Sequence, residues 1–374
     1  MASKTKRPPR RSSVLEGCAT TEGTARYAAR FAARFEPGHF RPLGPTACRA
    51  SSIGLGTYLG GCTDDDDAQY AASIALALGS GINLLDTAIN YRCQRSERAV
   101  GAALARAVRD ERTARDEVIV CTKGGYVPLD GEQPTSRREY EEYLDEVFLQ
   151  PGIIDRAELV GGAHCIAPRF LEHQIARSRA NLGVATLDVY YLHNPEQQLD
   201  AVDRELFRYR LRAAFEMLEQ CRGAGHIVQY GCATWDGLRA APGTPAHLSL
   251  AELVQIAREV GGDAHGFRVV QLPLNLAMSE AAREATQELA GGQRVTVLQA
   301  AAELGVSVIA SASLLQARLA SHLPAELHRA LPGLDTDAQR AIAFVRALPV
   351  VTSALVGMRT PAHVMENLGA ARAR

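Results

Sequence analysis

From about residue 51 to the end, short apolar runs alternate with amphipathic stretches. Each apolar run is five to seven residues long and is followed by a pattern repeating every three to four residues. Residues 51–57 read as a strand, followed by a helix over 64–78 that stops at Gly79 and Gly81. The unit recurs as strand 82–86 with helix 96–109, strand 118–123 with helix 169–182, and strand 187–192 with helix 203–223. It continues as strand 227–232 with helix 248–260, strand 268–272 with helix 295–304, strand 306–310 with helix 336–347, and strand 350–356 with helix 361–371. Strand–helix alternation implies a parallel sheet, and eight units close it into a (β/α)8 barrel of the TIM type, an α/β fold. A doubly wound open sheet is the alternative. It lacks the Gly-x-Gly-x-x-Gly turn after the first strand, and there is no Walker-type phosphate loop.

Three stretches stand outside the repeat. Residues 1–13 carry five basic side chains and two prolines and read as a disordered tail. No apolar segment follows Arg10-Arg11, which argues against a secretory or twin-arginine signal; an organelle transit peptide stays open because the first acid is Glu16. Tyr27, Phe31 and Phe35 recur every four residues, predicting a short helix over 22–36 that packs on the body. The domain reading is an N-terminal extension, 1–39, and one barrel domain, 40–374. Residues 125–167 form a long insertion after the third strand with Tyr126, Tyr140, Tyr143 and Phe148, a small helix over 137–149, and Gly161-Gly162 as a hinge. Loops of this length in compact domains are commonly lids; a solvated insertion that the barrel does not need is the other reading. A polar helix is predicted near 280–290.

Composition narrows the classes without choosing among them. The 374 residues are 47% hydrophobic and 22% charged, with a net charge of -1, which gives no argument for nucleic acid or an anionic membrane as partner. No apolar run approaches the ~20 residues of a membrane helix. The eight cysteines are scattered, without Cys-x-x-Cys or Cys/His ligand spacing. They read as reduced thiols of a cytoplasmic protein with no metal site. The run Asp64–Asp67 reads as a helix N-terminus suited to the positive end of the dipole, because four successive residues do not point one way on a helix.

The candidate chemistry lies where barrel strands end. Asp86 closes the second strand and Tyr91 follows five residues on; Lys123 closes the third strand and His193 the fourth. Carboxyl-terminal strand ends converge on one face of such a barrel. A phenol has a reference pKa of ~10; a neighbouring ammonium favours the phenolate, and a carboxylate paired with that ammonium keeps it charged and oriented. A histidine beside the hydroxyl can orient a carbonyl or share its proton. Each residue alone also admits a structural role: Asp86 as a turn cap, Tyr91 as surface packing, Lys123 as a strand-end charge, His193 as a satisfied loop histidine.

Taken with the segments around it, this set resembles the aldo-keto reductases. The segments are Gly54-Leu55-Gly56-Thr57, Asp86-Thr87-Ala88 with Ser96-Glu97, Gly231, Gln271-Leu272-Pro273-Leu274-Asn275 and Glu366-Asn367, covering about residues 40–370. The resemblance implies an NADPH-dependent oxidoreductase with Asp86, Tyr91, Lys123 and His193 catalytic. It places the cofactor against Gly56, Thr57, Asp86, Thr234 and Gln271, along Ser311, Ala312, Ser313, Leu314, Gln316 and Arg318, and at Gly357, Met358, Arg359, His363, Glu366 and Asn367. Arg359 and His363 are the groups available to a 2′-phosphate. The sequence departs from the family where Ala233-Thr234 replaces Ser-Asn, where Ser311 replaces a tyrosine, and in the absence of proline from 311–316. Tyr58, Tyr126 and Trp235 are expected around a small carbonyl or alcohol substrate, a core position being the alternative for Trp235. Two further readings stand beside a carbonyl reductase: a redox tailoring enzyme with a bulky substrate, and a cofactor-binding regulatory subunit with little turnover.

Overall fold

The computed structural model describes residues 14–372; the basic tail expected over 1–13 lies outside the described residues. Eight parallel strands close into a barrel: β1 (Ile53–Gly56), β2 (Leu84–Asp86), β3 (Ile119–Gly124), β4 (Leu187–His193), β5 (Ile227–Ala233), β6 (Phe267–Pro273), β7 (Ser307–Ser311) and β8 (Val351–Gly357), with β8 paired back onto β1. The helices follow in register with the repeat: α1 (Asp64–Leu78), α2 (Arg95–Arg109), α3 (Pro168–Leu182), α4 (Arg204–Gly223), α5 (Leu250–Gly261), α6 (Val297–Glu303), α7 (Asp337–Ala347) and α8 (Pro361–Leu368). The strands are buried on both faces, which is why they read as continuous apolar runs. Leu84, Ile119, Val189, Tyr191, Val269 and Ile309 fill the interior, while the larger core lies between strands and helices.

The amino-terminal end of the barrel is closed by a hairpin, Phe40–Leu43 with Cys48–Ser51, whose Leu43, Cys48 and Ala50 join the interior cluster. Four-residue strands containing Pro42 gave no such signal in the sequence. The helix predicted near the N-terminus forms over Thr21–Phe31 and ends in a 3-10 turn, Ala32–Arg34. Tyr27 is buried, and its hydroxyl donates to the Leu78 and Ile82 carbonyls at 2.7 and 3.0 Å. Phe35 stacks on His39 with ring centroids 4.0 Å apart. Gly81 is required beneath it, since a Cβ there would come within 2.3 Å of the ring.

Two expectations change. The polar helix near 280–290 is only the short Glu280–Arg283, followed by a two-stranded ribbon, Gln287–Glu288 with Arg294–Val295. Buried Gln287 donates to the Leu238 and Leu248 carbonyls and accepts from the Leu250 amide, and these bonds hold the segment extended. Insertion 125–167 packs against the barrel helix that follows it. It forms a helix, Arg137–Leu144, running into a π turn, Asp145–Leu149, and builds its own core from Leu144, Phe148, Ile154 and Cys165 against Phe170 of α3. The Tyr143 hydroxyl donates to Pro128 O, and Asp130 pairs with both Arg98 and Arg177. Tyr140, Tyr143 and Phe148 therefore face the insertion itself, and Gly161-Gly162 sits at positive φ in a turn whose Tyr140 bond, to Gly162 O, is 2.7 Å. No helix among the described residues is long and apolar enough to cross a membrane.

Candidate active site

A cavity of about 830 Å³ opens at the carboxyl-terminal end of the strands. Lys123, the last side chain of β3 before Gly124, is fully buried beneath its floor. Its ammonium donates to Asp86 Oδ2 at 2.6 Å and to the Thr87 carbonyl at 2.8 Å, and lies 5.0 Å from the centroid of the Tyr91 ring. Asp86 Oδ1 accepts from Gln271 Nε2 at 2.9 Å, so β6 is tied to β2 across the interior. Tyr91 reaches the cavity from a turn in which Arg92, Cys93 and Gln94 all have positive φ. Its ring lies edge-on to His193 at 5.8 Å and to Tyr58 at 5.0 Å. The four strand-end residues proposed from sequence thus meet at one place.

Burial would push the Lys123 ammonium down, but Asp86 and Tyr91 prevail and hold it above its usual value. Burial raises the Asp86 carboxyl against the pull of Lys123. Burial also raises the Tyr91 phenol; Lys123 opposes this rise without reversing it. The sequence-based expectation had the right sign for the lysine and omitted the larger desolvation effect. His193 is pushed well below its usual value, first by burial and then by Lys123, and is therefore neutral. His164 Nε2 lies 2.8 Å from the His193 carbonyl oxygen, while His193 Nδ1 is buried without a partner among the described residues.

The motif residues nearby are couplers. Ser96 donates to Thr57 O at 2.9 Å, and Glu97 accepts from Thr122 and Asn181, tying α2 to β1, β3 and α3. Gly231 is needed because a Cβ there would meet the Val269 carbonyl at 1.6 Å.

The proposed cofactor residues mostly share the cavity wall. Gly56, Thr57, Asp86, Thr234, Gln271, Ser311, Ala312, Ser313, Leu314 and Gln316 line it, as do Gly357, Arg359, His363, Glu366 and Asn367. Arg318 and Met358 do not: Arg318 is exposed on the turn and Met358 is buried in the outer core. Thr234 Oγ1 is buried on the wall without a hydrogen-bond partner among the described residues. The segment after β7 is folded back by positive φ at Ala312, Leu315, Gln316 and Ala317, a conformation of the kind found in anion-binding backbone concavities. Arg359 already pairs with Asp66, Nη1 to Oδ1 at 2.9 Å, and Asp66 also accepts from the Gly61 amide.

Tyr58, Tyr126 and Trp235 all line the mouth. Asn90 and Asn194 line it too and were not singled out in the sequence; Asn194 Nδ2 donates to the Tyr126 hydroxyl at 2.9 Å. Their adjacency to Tyr91 and His193 was the available signal.

Residues 52–242 match the family model described as "Aldo/keto reductase family". The chain is 32% identical over 157 residues to an NADH-specific methylglyoxal reductase of Escherichia coli (strain K12), covering 41% of this chain and 40% of that protein. It is 30% identical over 166 residues to a D-threo-aldose 1-dehydrogenase of Pseudomonas sp, covering 44% of each. The aligned stretches thus span less than half the length of these two curated relatives. The fold is similar to that of an aldo-keto reductase from Klebsiella pneumoniae solved in complex with NADPH, with a TM-score of 0.58, 20% identity and 90% of each chain covered. Eight parallel strands, a strand-end Asp–Lys pair beneath a tyrosine and a family match over half the sequence lead to one assignment: this chain belongs to the aldo/keto reductase family.

Proposed function

We propose that the protein is a nicotinamide-dependent oxidoreductase that interconverts a carbonyl compound and its alcohol. The observation that carries this reading is the buried Lys123 ammonium, fixed by Asp86 and Thr87 under the ring of a tyrosine that faces a large cavity. The wall fits a dinucleotide. Thr234 and Gln271 suit the carboxamide end, the turn after β7 suits the pyrophosphate, and Arg359, His363, Glu366 and Asn367 suit the adenosine end. When bound, the nicotinamide supplies or accepts the hydride.

The chain's own residues handle the proton. Tyr91, with its phenol raised by burial, is protonated at neutral pH and donates to the carbonyl oxygen in the reducing direction. Lys123 limits that rise and so keeps the phenolate accessible in the reverse direction. Neutral His193 orients the carbonyl beside Tyr91, and Asp86 keeps the ammonium in place. NADPH is the proposed cofactor, whose 2′-phosphate Arg359 would hold; the existing pair of Arg359 with Asp66 weakens discrimination against NADH. Fluorescence titration with both cofactors, followed by a panel of aldehydes and ketones with wild type and Tyr91→Phe, tests the reading. Cofactor binding without turnover of any carbonyl compound would favour the regulatory-subunit alternative.

A further inference from the structure

Two cysteines, each within two residues of a cavity-lining residue, Gly60 or Tyr91, take no part in the chemistry above. Cys62 lies in the loop after β1, four residues beyond Tyr58, and Cys93 lies two residues beyond Tyr91. Their sulfurs are 3.2 Å apart, and both are free thiols. The contact is built by the backbone around it. Arg92 Nε donates to Gly61 O at 2.7 Å, and Arg92 Nη2 donates to Thr63 O at 3.3 Å and to Asp67 Oδ1 at 2.5 Å. One guanidinium thus grips the residues on either side of Cys62 from the position next to Cys93. Positive φ at Arg92, Cys93 and Gln94 sets the turn that presents the second sulfur.

We propose that Cys62 and Cys93 form a reversible, peroxide-responsive disulfide that cross-links the Tyr58 loop to the Tyr91 turn. Cys62 is the half-buried partner and reacts first, whereas Cys93 is 3% exposed. Burial, with Cys62 as the next cause, pushes the Cys93 thiol up to about 12, so it stays protonated while Cys62 is reduced. The Cys62 thiolate attacks hydrogen peroxide; an S–O bond forms, the O–O bond breaks, and water leaves after protonation. Cys93 sulfur then attacks Cys62 sulfur; the S–S bond forms, the S–O bond breaks, and a second water leaves. In sum, two thiols and one peroxide give one disulfide and two waters, and a dithiol reductant reverses the step. The sulfurs must close from 3.2 Å to a bond of about 2.05 Å. Gly60 and Gly61 lie directly before Cys62, and Gly60 is already at φ 112°, which gives that loop the freedom to move.

The test uses the full chain and does not depend on its catalytic activity. The protein is treated with a few equivalents of hydrogen peroxide, its remaining thiols are alkylated, and peptides are mapped without reduction. A linked peptide pair containing Cys62 and Cys93, lost on dithiothreitol treatment, is the expected result. The oxidised form should also melt several degrees higher and resist proteolysis in the loop after β1, because a cross-link restricts the unfolded chain. In Cys93→Ser, Cys62 should be trapped as a sulfenic acid that dimedone labels. Alkylation of both cysteines in the peroxide-treated wild type, or a disulfide joining any other pair, overturns the proposal whatever the variant does.

Discussion

Lys123 lies directly under Tyr91, its ammonium 5.0 Å from the ring centroid, and is held there by Asp86. Lys123 is fully buried, and it stays charged because a carboxylate and a backbone carbonyl accept hydrogen bonds from its ammonium. The phenol above is therefore tuned by two opposed effects, burial and a cation.

Removing the phenol should separate binding from chemistry. Tyr91→Phe should titrate cofactor like wild type and lose ~10²–10⁴-fold in kcat. A variant turning over at the wild-type rate would show that the proton moves elsewhere.

Removing the cation should move a pH profile. Lys123 pulls the Tyr91 phenol down against burial, so Lys123→Met lets it rise further. The oxidation-direction rate, which needs phenolate, should then shift to higher pH and fall at neutral pH. An unshifted profile would uncouple the two residues.

Asp66 and Arg359 should tune cofactor choice in opposite directions. Arg359→Ala should weaken NADPH binding roughly tenfold and NADH binding less, given ~1.5–3 kcal/mol for charged hydrogen bonds. Asp66→Asn frees the guanidinium and should raise the NADPH:NADH affinity ratio. Equal changes for both cofactors would place the 2′-phosphate away from Arg359.

Acid should destabilise the fold through histidines buried in the neutral form. Burial lowers His39 and His164 to about 4 in the folded chain, against about 6.5 when unfolded. Their contribution is present above the unfolded value and is lost as pH falls towards 4, on the order of 2–3 kcal/mol each. Melting temperature should drop between pH 7 and 4.5, less steeply in His39→Gln. A flat profile would mean that these histidines protonate as readily in the folded chain as in the unfolded one.

The insertion should loosen as a unit. Phe148→Ala leaves a hole among Tyr143, Phe170 and His173, at a typical cost of ~3–5 kcal/mol. Limited proteolysis should then cut within 128–162 before the barrel opens, and bulky substrates should lose more turnover than small aldehydes. An unchanged cleavage pattern would show that this ring does not hold the segment.

The eight-unit repeat was legible because strands buried on both faces and helices buried on one leave different periods in the sequence. Asp86, Tyr91, Lys123 and His193 could be found because a barrel gathers its strand ends. Other features have no local signature. The hairpin at 40–51 consists of two four-residue strands, one carrying Pro42. The inward facing of Tyr140, Tyr143 and Phe148 depends on Phe170, which is distant in sequence. The Asp66–Arg359 pair joins residues 293 positions apart, so nothing near Arg359 announces that it is already engaged.

Phe35 bridges Arg372, and the Glu36 amide donates to Ala371 O at 3.0 Å, beside the closure of β8 onto β1. The segment just ahead of the hairpin thus clasps the end of the described chain near the seam where the cylinder is shut. Such a seam joins the most distant parts of the sequence, so its loop-closure cost falls late in folding. Loss of either half of the clasp should weaken cooperativity throughout the barrel, since a cylinder released at one seam regains two open edges.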